Sequence, residues 1–496
     1  MNSGKLERLK GLMDKKVLIV SYLFPPIGGG GVQRALKMAK YLEQYGWEAH
    51  ILTVTEDVYF ASKDASLLNQ LPPSVKIHRA NHLDLIGKFT GQATKNNQTT
   101  TNKVSMKARV KQLIKPFLKA LKSRILIPDE QILWRNNAVK LGKEVIKSQN
   151  IQAIFSTSGP NTNHLVAYEL KKHMDLPWIA DFRDPWTDNM HRSGIWWREK
   201  LEARLERKVV TSADVIMTVT ESFLDGFINK YGSTAIKRGS VVHNGYDIAD
   251  YNNLNHTVNN TDDNGVDISV DSPVDKPVDN PVHKPVDASV NREVSTAPVD
   301  KLKLVYTGIF YDKRNPRLLL RAIRELINEG RIDQQKIALH FAGIFDYPGQ
   351  SANWQTVIDT ELEEQIILHG QLPHGQALNL LASADVQLLI ADSDKTAGAY
   401  IPGKLFEYIA IGKPIFALSH QGESTEIIES LGNGIVADPT SLHEIKKSLS
   451  VLYRNWLNTG IAIDMPGDIL EKTKKYQRHE QARMLAEELD ILHKKN

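Results

Sequence analysis

Tyr400-Ile-Pro-Gly-Lys-Leu-Phe-Glu-Tyr-Ile-Ala-Ile-Gly-Lys-Pro-Ile415 carries the strongest local signal in the chain. A Pro-Gly turn opens a helical run, Gly412 ends it, and an apolar strand follows at once. A helix that begins in such a turn has no partners for its first N–H groups, and these favour an anion. Lys404 stands at that start. A lysine there opposes the helix dipole, so it indicates an anionic ligand that also uses the open N–H groups. Glu407 lies about one turn further in, where a carboxylate can accept two hydroxyl hydrogen bonds from a ribose. The same position also suits an ordinary helix-surface carboxylate.

The pattern repeats outward from this unit. Apolar runs predict strands over 303–306, 338–342, 366–369, 386–390, 414–417 and 435–436. Helical spacing fits 316–329, 376–384, 404–411, 424–430 and 441–457. The first half has the same rhythm. Strands are predicted over 16–21, 48–54, 153–156, 178–181, 215–219 and 240–243. A helix over 32–45 follows the glycines at 28–31, with Ala35, Met38, Ala39 and Leu42 on one face. Repeated βα units imply a parallel sheet covered on both faces. Two such domains in series leave a cleft between them, with its sites in the loops beyond the strand C-termini. The last amphipathic run, 476–492, suits a helix that clasps the two halves together.

The halves are separated by a different kind of sequence. Ser272-Pro-Val-Asp-Lys-Pro-Val-Asp-Asn-Pro-Val-His-Lys-Pro-Val-Asp287 repeats a proline every four residues, and Pro298-Val-Asp300 echoes it. Proline lacks an N–H and disfavours helix in the residue before it. The expectation is a disordered or polyproline-like insert. The boundaries that result are a first domain at 1–252, an insert at 253–300, a second domain at 301–470 and a terminal helix at 471–496.

The 496 residues are 41% hydrophobic and 24% charged, enough apolar content to exclude global disorder. No run of ~18 apolar residues occurs, which argues against a membrane-spanning helix. The charged first residues and the short apolar run ending at Pro25-Pro26 read as a strand rather than a signal peptide. Cysteine is absent, which removes disulfides, thiol nucleophiles and zinc-thiolate sites and fits a reducing cytoplasm. The net charge of +4 hides an asymmetry: residues 1–250 carry +13 and residues 251–496 carry −9. One half is therefore suited to an anionic surface or ligand.

Several loops bear on the chemistry. Phe24-Pro-Pro-Ile-Gly-Gly-Gly-Gly-Val-Gln-Arg34 joins the first strand to a helix, and Gly30 and Gly31 let backbone N–H groups approach an anion. No Gly-Lys-Ser/Thr follows, so it is not a Walker loop, and the dinucleotide spacing is missing. Ser156-Thr-Ser-Gly-Pro-Asn-Thr-Asn-His164 and Asp181-Phe-Arg-Asp-Pro-Trp-Thr187 each follow a strand. In the second, Asp181, Arg183 and Asp184 suit ligand contacts, or an ion pair that braces the loop. Together with Val242-His-Asn-Gly-Tyr-Asp247, Tyr306-Thr-Gly308 and the 402–414 segment, these pieces resemble, in order, a glycosyltransferase of the family 4 type.

That resemblance implies the GT-B fold: α/β, two Rossmann-like doubly wound domains facing across a cleft, with a C-terminal helix crossing back. It implies a cytoplasmic retaining transferase that takes sugar from a nucleotide-sugar donor held by the second domain, with no cofactor and no metal. By the family pattern Glu407 holds the ribose, and N–H groups from Gly403 through Lys404 to Leu405 hold the diphosphate. Gly30, Gly31 and Gly308 join the donor site, and Lys404 and Arg314 neutralise charge. His164, Asp181 and Arg183 are the catalytic candidates near the sugar. One departure stands out. The family often has a second glutamate eight positions before the ribose-binding one, and here that residue is Ala399. Asp392-Ser-Asp394 reads as a polar loop.

Residues 103–128 hold eight Lys or Arg and no acid, with Met106, Val110, Leu113, Ile114, Phe117, Leu118, Leu121 and Ile125 at helical spacing. A basic amphipathic helix suits an anionic membrane surface, and it also suits packing on a core with a solvated basic back. The first option favours a glycan or lipid-linked acceptor met at the inner face of the plasma membrane. The strip lacks interleaved aromatic platforms, which argues against nucleic acid. Two other functional readings remain open. One is a binding subunit of this fold that has lost turnover, and the other is a nucleotide-sugar epimerase.

Overall fold

The structure is a computed structural model, and it describes residues 15–58, 60, 62–83, 125–189, 194–251, 301–347 and 349–494. Both the proline-rich insert and nearly all of the basic amphipathic strip lie outside the described residues.

The first domain is a seven-stranded sheet of β1 (Lys15–Val20), β2 (Trp47–Val54), β3 (Lys76–Ala80), β4 (Ala153–Thr157), β5 (Trp178–Phe182), β6 (Val215–Thr218) and β7 (Gly239–Val241). Their order is β3-β2-β1-β4-β5-β6-β7, and every pairing is parallel. The second domain is a six-stranded sheet of β8 (Leu302–Ile309), β9 (Ile337–Ile344), β10 (Ile366–Gly370), β11 (Val386–Ile390), β12 (Ile415–Leu418) and β13 (Gly434–Ala437). Its order is β10-β9-β8-β11-β12-β13, again all parallel. The helices used below are α1 (Gly30–Tyr41), α2 (Thr162–Met174), α3 (Trp196–Ser212), α4 (Glu221–Tyr231), α5 (Gly403–Ile411), α6 (Glu423–Leu431) and α7 (Arg478–His493).

Sequence explains why these sheets are parallel and central. Val17, Leu18, Ile19 and Val20 of β1 are all fully buried, as a strand covered on both faces requires. Doubly wound sheets reverse direction at one point, and ligands bind beyond the strand ends there. The reversal falls between β1 and β4 in the first sheet and between β8 and β11 in the second. The loops after those four strands contain most of the motifs singled out in the sequence.

The expected strands appear within a few residues of their predicted bounds, with one addition. Edge strand β3 was not anticipated, because Lys-Ile-His-Arg-Ala has little alternation and its residues are only partly buried up to Ala80. The terminal helix does return to the first domain. Ala482, Leu485, Ala486, Leu489 and Leu492 of α7 join the first domain's core. Each buried leucine there contributes roughly 1.5–3 kcal/mol. Polar contacts fix its rotation: Asp490 accepts from Lys15 at 2.6 Å and from the Trp47 indole at 2.8 Å, and Arg238 pairs with Glu488 at 2.5 Å. The entry to α7 is clamped against the hinge, since the Tyr246 N–H donates to Tyr476 O and the Arg478 N–H donates to Tyr246 O. Gly245 is essential to this crossing, because a Cβ there would stand 2.0 Å from Tyr476 O. No helix among the described residues is long and apolar enough to cross a membrane.

Candidate active site

The second domain's half of the site is built on the loop after β8 and the start of α5. Pro402 precedes α5 and supplies no side-chain cap, so the first N–H groups of the helix have no partner within it. Lys404 does not extend into solvent. Its Nζ stands 4.5 Å from the centre of the Tyr306 ring and 3.4 Å from the Tyr306 hydroxyl. The ammonium fills the space where a Cβ of Gly308 would be, at 1.6 Å. Gly308 itself has φ +140, and a Cβ on Gly343 of the neighbouring strand would collide with its carbonyl at 1.9 Å. Gly308 thus makes room for a lysine head beneath the helix start, and Gly343 makes room for the Gly308 backbone. Burial and the neighbouring Arg314 push the Lys404 ammonium down to about 8, against the pull of Glu407. No carboxylate is paired with Lys404 among the described residues.

Arg314 is placed beside this lysine but is already engaged. Its Nε donates to Asp392 at 3.2 Å, and its guanidinium lies 4.9 Å from the Tyr311 ring. Asp394 accepts from Lys313 at 2.9 Å and from the Thr396 N–H. The Asp-Ser-Asp loop is therefore occupied by internal pairs. Glu407, one turn into α5, is held above the usual carboxylate range by burial, with His374 and Lys404 acting in the opposite direction. Leu405 is fully buried in the second domain, and its N–H already donates to Pro402 O at 3.0 Å, which leaves the N–H groups of Gly403 and Lys404 as the open ones.

The first domain's half is organised around buried ion pairs. Arg34, from α1, forms a two-pronged bond to Asp181 at the end of β5, with distances of 2.8 and 2.7 Å. Its remaining N–H groups donate to the carbonyls of Val242 and His243 at 3.0 and 3.1 Å. Thr157 donates to the same carboxylate at 2.6 Å. Both charged side chains are almost wholly enclosed. Lys37, one turn further along α1, is equally saturated by Asp247 at 2.7 Å, by Asp250 at 2.9 and 3.0 Å, and by Gln70 at 2.8 Å. Lys40 and Tyr41 complete the shell of Asp247 and, with Lys37, hold its carboxyl well below the usual range in spite of burial.

Arg183 and Arg478 are arranged differently. The Arg183 Nη1 donates to Gly31 O at 2.8 Å at the start of α1, while its Nε is buried with no partner among the described residues. Arg478, at the start of α7, donates to Gln481 at 2.9 Å. Burial first, then Arg34 and Arg183, push the Arg478 guanidinium down to about 9. Burial likewise lowers Arg183.

These two half-sites face one another across a cleft of about 810 Å³. Gly30, Gly31, Arg34, Arg183 and Arg478 line it from one side, and Gly403, His374 and Glu407 from the other. Phe223 of α4 and Tyr400 close one flank with ring centres 5.0 Å apart. Next to them, the Ser222 N–H donates to Glu423 of α6 at 2.7 Å, a direct bond between the domains.

Of the residues expected at the site, the structure brings Gly30, Gly31, Arg183, Gly403 and Glu407 to the cleft wall. Gly308, Arg314 and Lys404 lie together behind the start of α5. Asp181 is withdrawn from the wall and braces the loop through Arg34, a partner 147 residues away. The structure does not bring His164 to the cleft. That ring is fully buried at the start of α2, bonded to Ser156 at 2.8 Å and packed against Phe182. Burial pushes it down to about 3, so it is a neutral core histidine. Ala399 faces a separate cavity of about 620 Å³, shared with Asp188, Ser222, Thr396 and Tyr400.

Sequence reasoning missed Lys37, His374 and Arg478. Nothing around Arg478 signals a site, since its role depends on a long-range crossing. Lys37 sits at an apolar-face spacing from Arg34, and a lysine at that spacing on a buried helix was the available clue.

Comparison with known proteins places the fold. Residues 287–474 match the family model described as glycosyl transferases group 1. No curated protein matches the sequence. Among solved structures, a sucrose-phosphate synthase from Thermosynechococcus elongatus aligns over 97% of this chain and 100% of its own, with TM-score 0.55 and 14% identity. HepE from Anabaena, in complex with UDP, aligns over 97% and 100%, with TM-score 0.56 and 13% identity. The lipopolysaccharide outer core galactosyltransferase WaaB, in its apo form, aligns over 96% and 99%, with TM-score 0.51 and 11% identity. At such identities the likeness is one of fold. The parallel sheets, the cleft and the family match converge on one statement: the chain has the GT-B fold, its residues 287–474 match the group 1 glycosyl transferases, and at the coarse level it fits the family 4-like glycosyltransferases.

Proposed function

We propose that this chain transfers a sugar, with retention, from a nucleotide-sugar donor to a glycan or lipid-linked acceptor, in cell-surface polysaccharide or lipopolysaccharide synthesis. The observation that carries the reading is Lys404: an ammonium with no carboxylate partner among the described residues, held behind an uncapped helix start whose Gly403 and Glu407 line the cleft. A nucleoside diphosphate matches that arrangement. Its phosphates take the open N–H groups and Lys404, and its ribose hydroxyls donate to Glu407. HepE, which shares the fold, has been solved with UDP-glucose.

In this reading the chemistry is mostly charge stabilisation. As the bond from the sugar to the phosphate breaks, negative charge builds on the phosphate oxygen, and pre-aimed N–H groups and cations stabilise it. The first domain presents the acceptor hydroxyl, and its proton passes to the departing phosphate oxygen. The contact between Ser222 and Glu423 keeps the domains together and limits hydrolysis of the donor. The protein works in the cytoplasm, docked to the inner membrane face through residues 103–128.

Thermal shifts with UDP-, GDP-, ADP- and CMP-sugars test the donor site. At ~100 times its Kd, a ligand adds ~2.7 kcal/mol of stability. One nucleotide class is expected to stabilise the parent and fail on Glu407→Ala. Equal shifts for parent and variant would remove Glu407 from the site. A second reading, a binding subunit without turnover, draws on Ala399, and sugar transfer by the isolated chain would exclude it.

A further inference from the structure

The first domain's side of the cleft holds two kinds of cation, those already paired and those that are not. Arg34, Lys37 and Lys40 are each matched to a carboxylate. Arg183 and Arg478 are not: among the described residues neither forms an ion pair, and their bonds go to a carbonyl and an amide oxygen. Both line the cleft from the first domain's side, opposite Glu407. Asp184 lines it too and, with Asp181, attracts Arg183. Two desolvated guanidinium groups that repel each other are costly unless a counter-charge completes them. The unpartnered Nε of Arg183 shows that the fold itself does not complete that set. The start of α1, at Gly30 and Gly31, adds a positive helix end to the same wall.

We infer that Arg183 and Arg478 bind an anionic group, a phosphate or a carboxylate, carried by the acceptor. The inference rests on the donor reading above for its division of labour: Lys404 and Glu407 take the nucleotide, and the two arginines take the acceptor's charge. It narrows the acceptor to a phosphorylated or acidic glycan or a lipid phosphate. It also assigns a binding role to α7, since Arg478 reaches the cleft only through the return crossing.

The test uses the full chain, with glucose 6-phosphate, glucuronate and glucose as probes. Each is titrated alone and with the nucleotide that stabilises the parent. The phosphate or the carboxylate probe is expected to bind in both settings, and glucose in neither. Binding by one acidic probe and not the other identifies the group. Arg478→Met is expected to weaken the acidic probe about tenfold or more while nucleotide affinity stays, in keeping with loss of a charge-assisted contact. Lys404→Met is expected to do the reverse. Arg183→Lys, which keeps the charge but loses the fork, is expected to weaken the probe with less risk to folding. Mutual exclusion of probe and nucleotide would assign the arginines to the donor phosphates and overturn the inference. So would an Arg478→Met protein that binds the acidic probe normally, or a parent that binds no acidic probe. A parent that binds an acidic probe but no nucleotide would sink the donor reading alone.

Discussion

Lys404 is held 4.5 Å above the Tyr306 ring, and its ammonium occupies the volume that any side chain at Gly308 would need. Burial and Arg314 leave it titrating at about 8 rather than at the ordinary 10.5. Nucleotide binding needs the charged form, which is present below pH 8 and lost above it. Affinity for a nucleoside diphosphate is therefore expected to fall with rising pH above 8, approaching about tenfold per pH unit. Lys404→Met should bind weakly and lose that slope. Titration calorimetry between pH 7 and 9.5 measures both.

Gly308→Ala tests the same pocket from the other strand. The substitution forces a Cβ onto the lysine head and imposes a φ of +140 on a residue with a side chain. A cost of about 1–3 kcal/mol in stability is expected from the backbone alone. The lysine end is flexible and moves aside, so the protein folds but nucleotide affinity drops. Urea denaturation and nucleotide titration on one preparation separate the two effects.

The pair formed by Arg34 and Asp181 predicts a large effect without catalytic meaning. Arg34→Ala leaves a fully buried carboxylate with Thr157 as its remaining side-chain partner. The expected loss is about 3–5 kcal/mol. A urea midpoint within error of the parent would show that the pair is not structural.

Stacked histidines in both domains make the fold sensitive to acid. His50 lies against His78 on β2 and β3, with nitrogens 3.1 Å apart. His340 lies against His369 on β9 and β10, at 2.9 Å. Burial, with the neighbouring histidine adding to it, lowers His78 to about 4; burial, then Lys303 and His369, lower His340 to about 4. An unfolded chain takes up these protons near pH 6.5, whereas the folded one resists until about 4. Stability is thus fully present above 6.5 and declines as pH falls from there towards 4. Melting temperatures from pH 7.5 to 5 should fall, and His340→Val should flatten the decline.

The bond between Glu423 and the Ser222 N–H predicts an effect on domain spacing. A charge-assisted contact of this kind contributes about 1.5–3 kcal/mol. Glu423→Ala is expected to shift the population towards a wider cleft, visible as a larger radius of gyration in small-angle scattering. No change in scattering, with or without nucleotide, would leave the contact without a role in closure.

The parts of this molecule legible in the sequence are those set by short-range pattern. The apolar run ending at Val20 and the Pro-Gly start of α5 announce a buried strand and an uncapped helix start, because the relevant physics acts within a few residues. The place of Glu407 on the cleft wall was legible for the same reason. His164 was not, because burial decides its role and burial depends on Phe182 and Ser156 packing over it. Asp181 shows the limit well. Its neighbours Arg183 and Asp184 suggested a local brace, but its true partner is Arg34 on another element. Arg478 was out of reach altogether, since only the fold carries a residue from the second domain's far side back to the first.

That return has a consequence for how the protein is made. The first domain's strands leave the ribosome by residue 241, but the helix that seals its core is residues 478–493. At ~5–20 residues per second, the gap lasts on the order of 12–50 seconds. Throughout that interval the nascent domain presents an unsealed apolar groove on α1, made for Leu485, Leu489 and Leu492. The groove stays open until that helix emerges, and only then does Arg478 join Arg183 at the cleft wall.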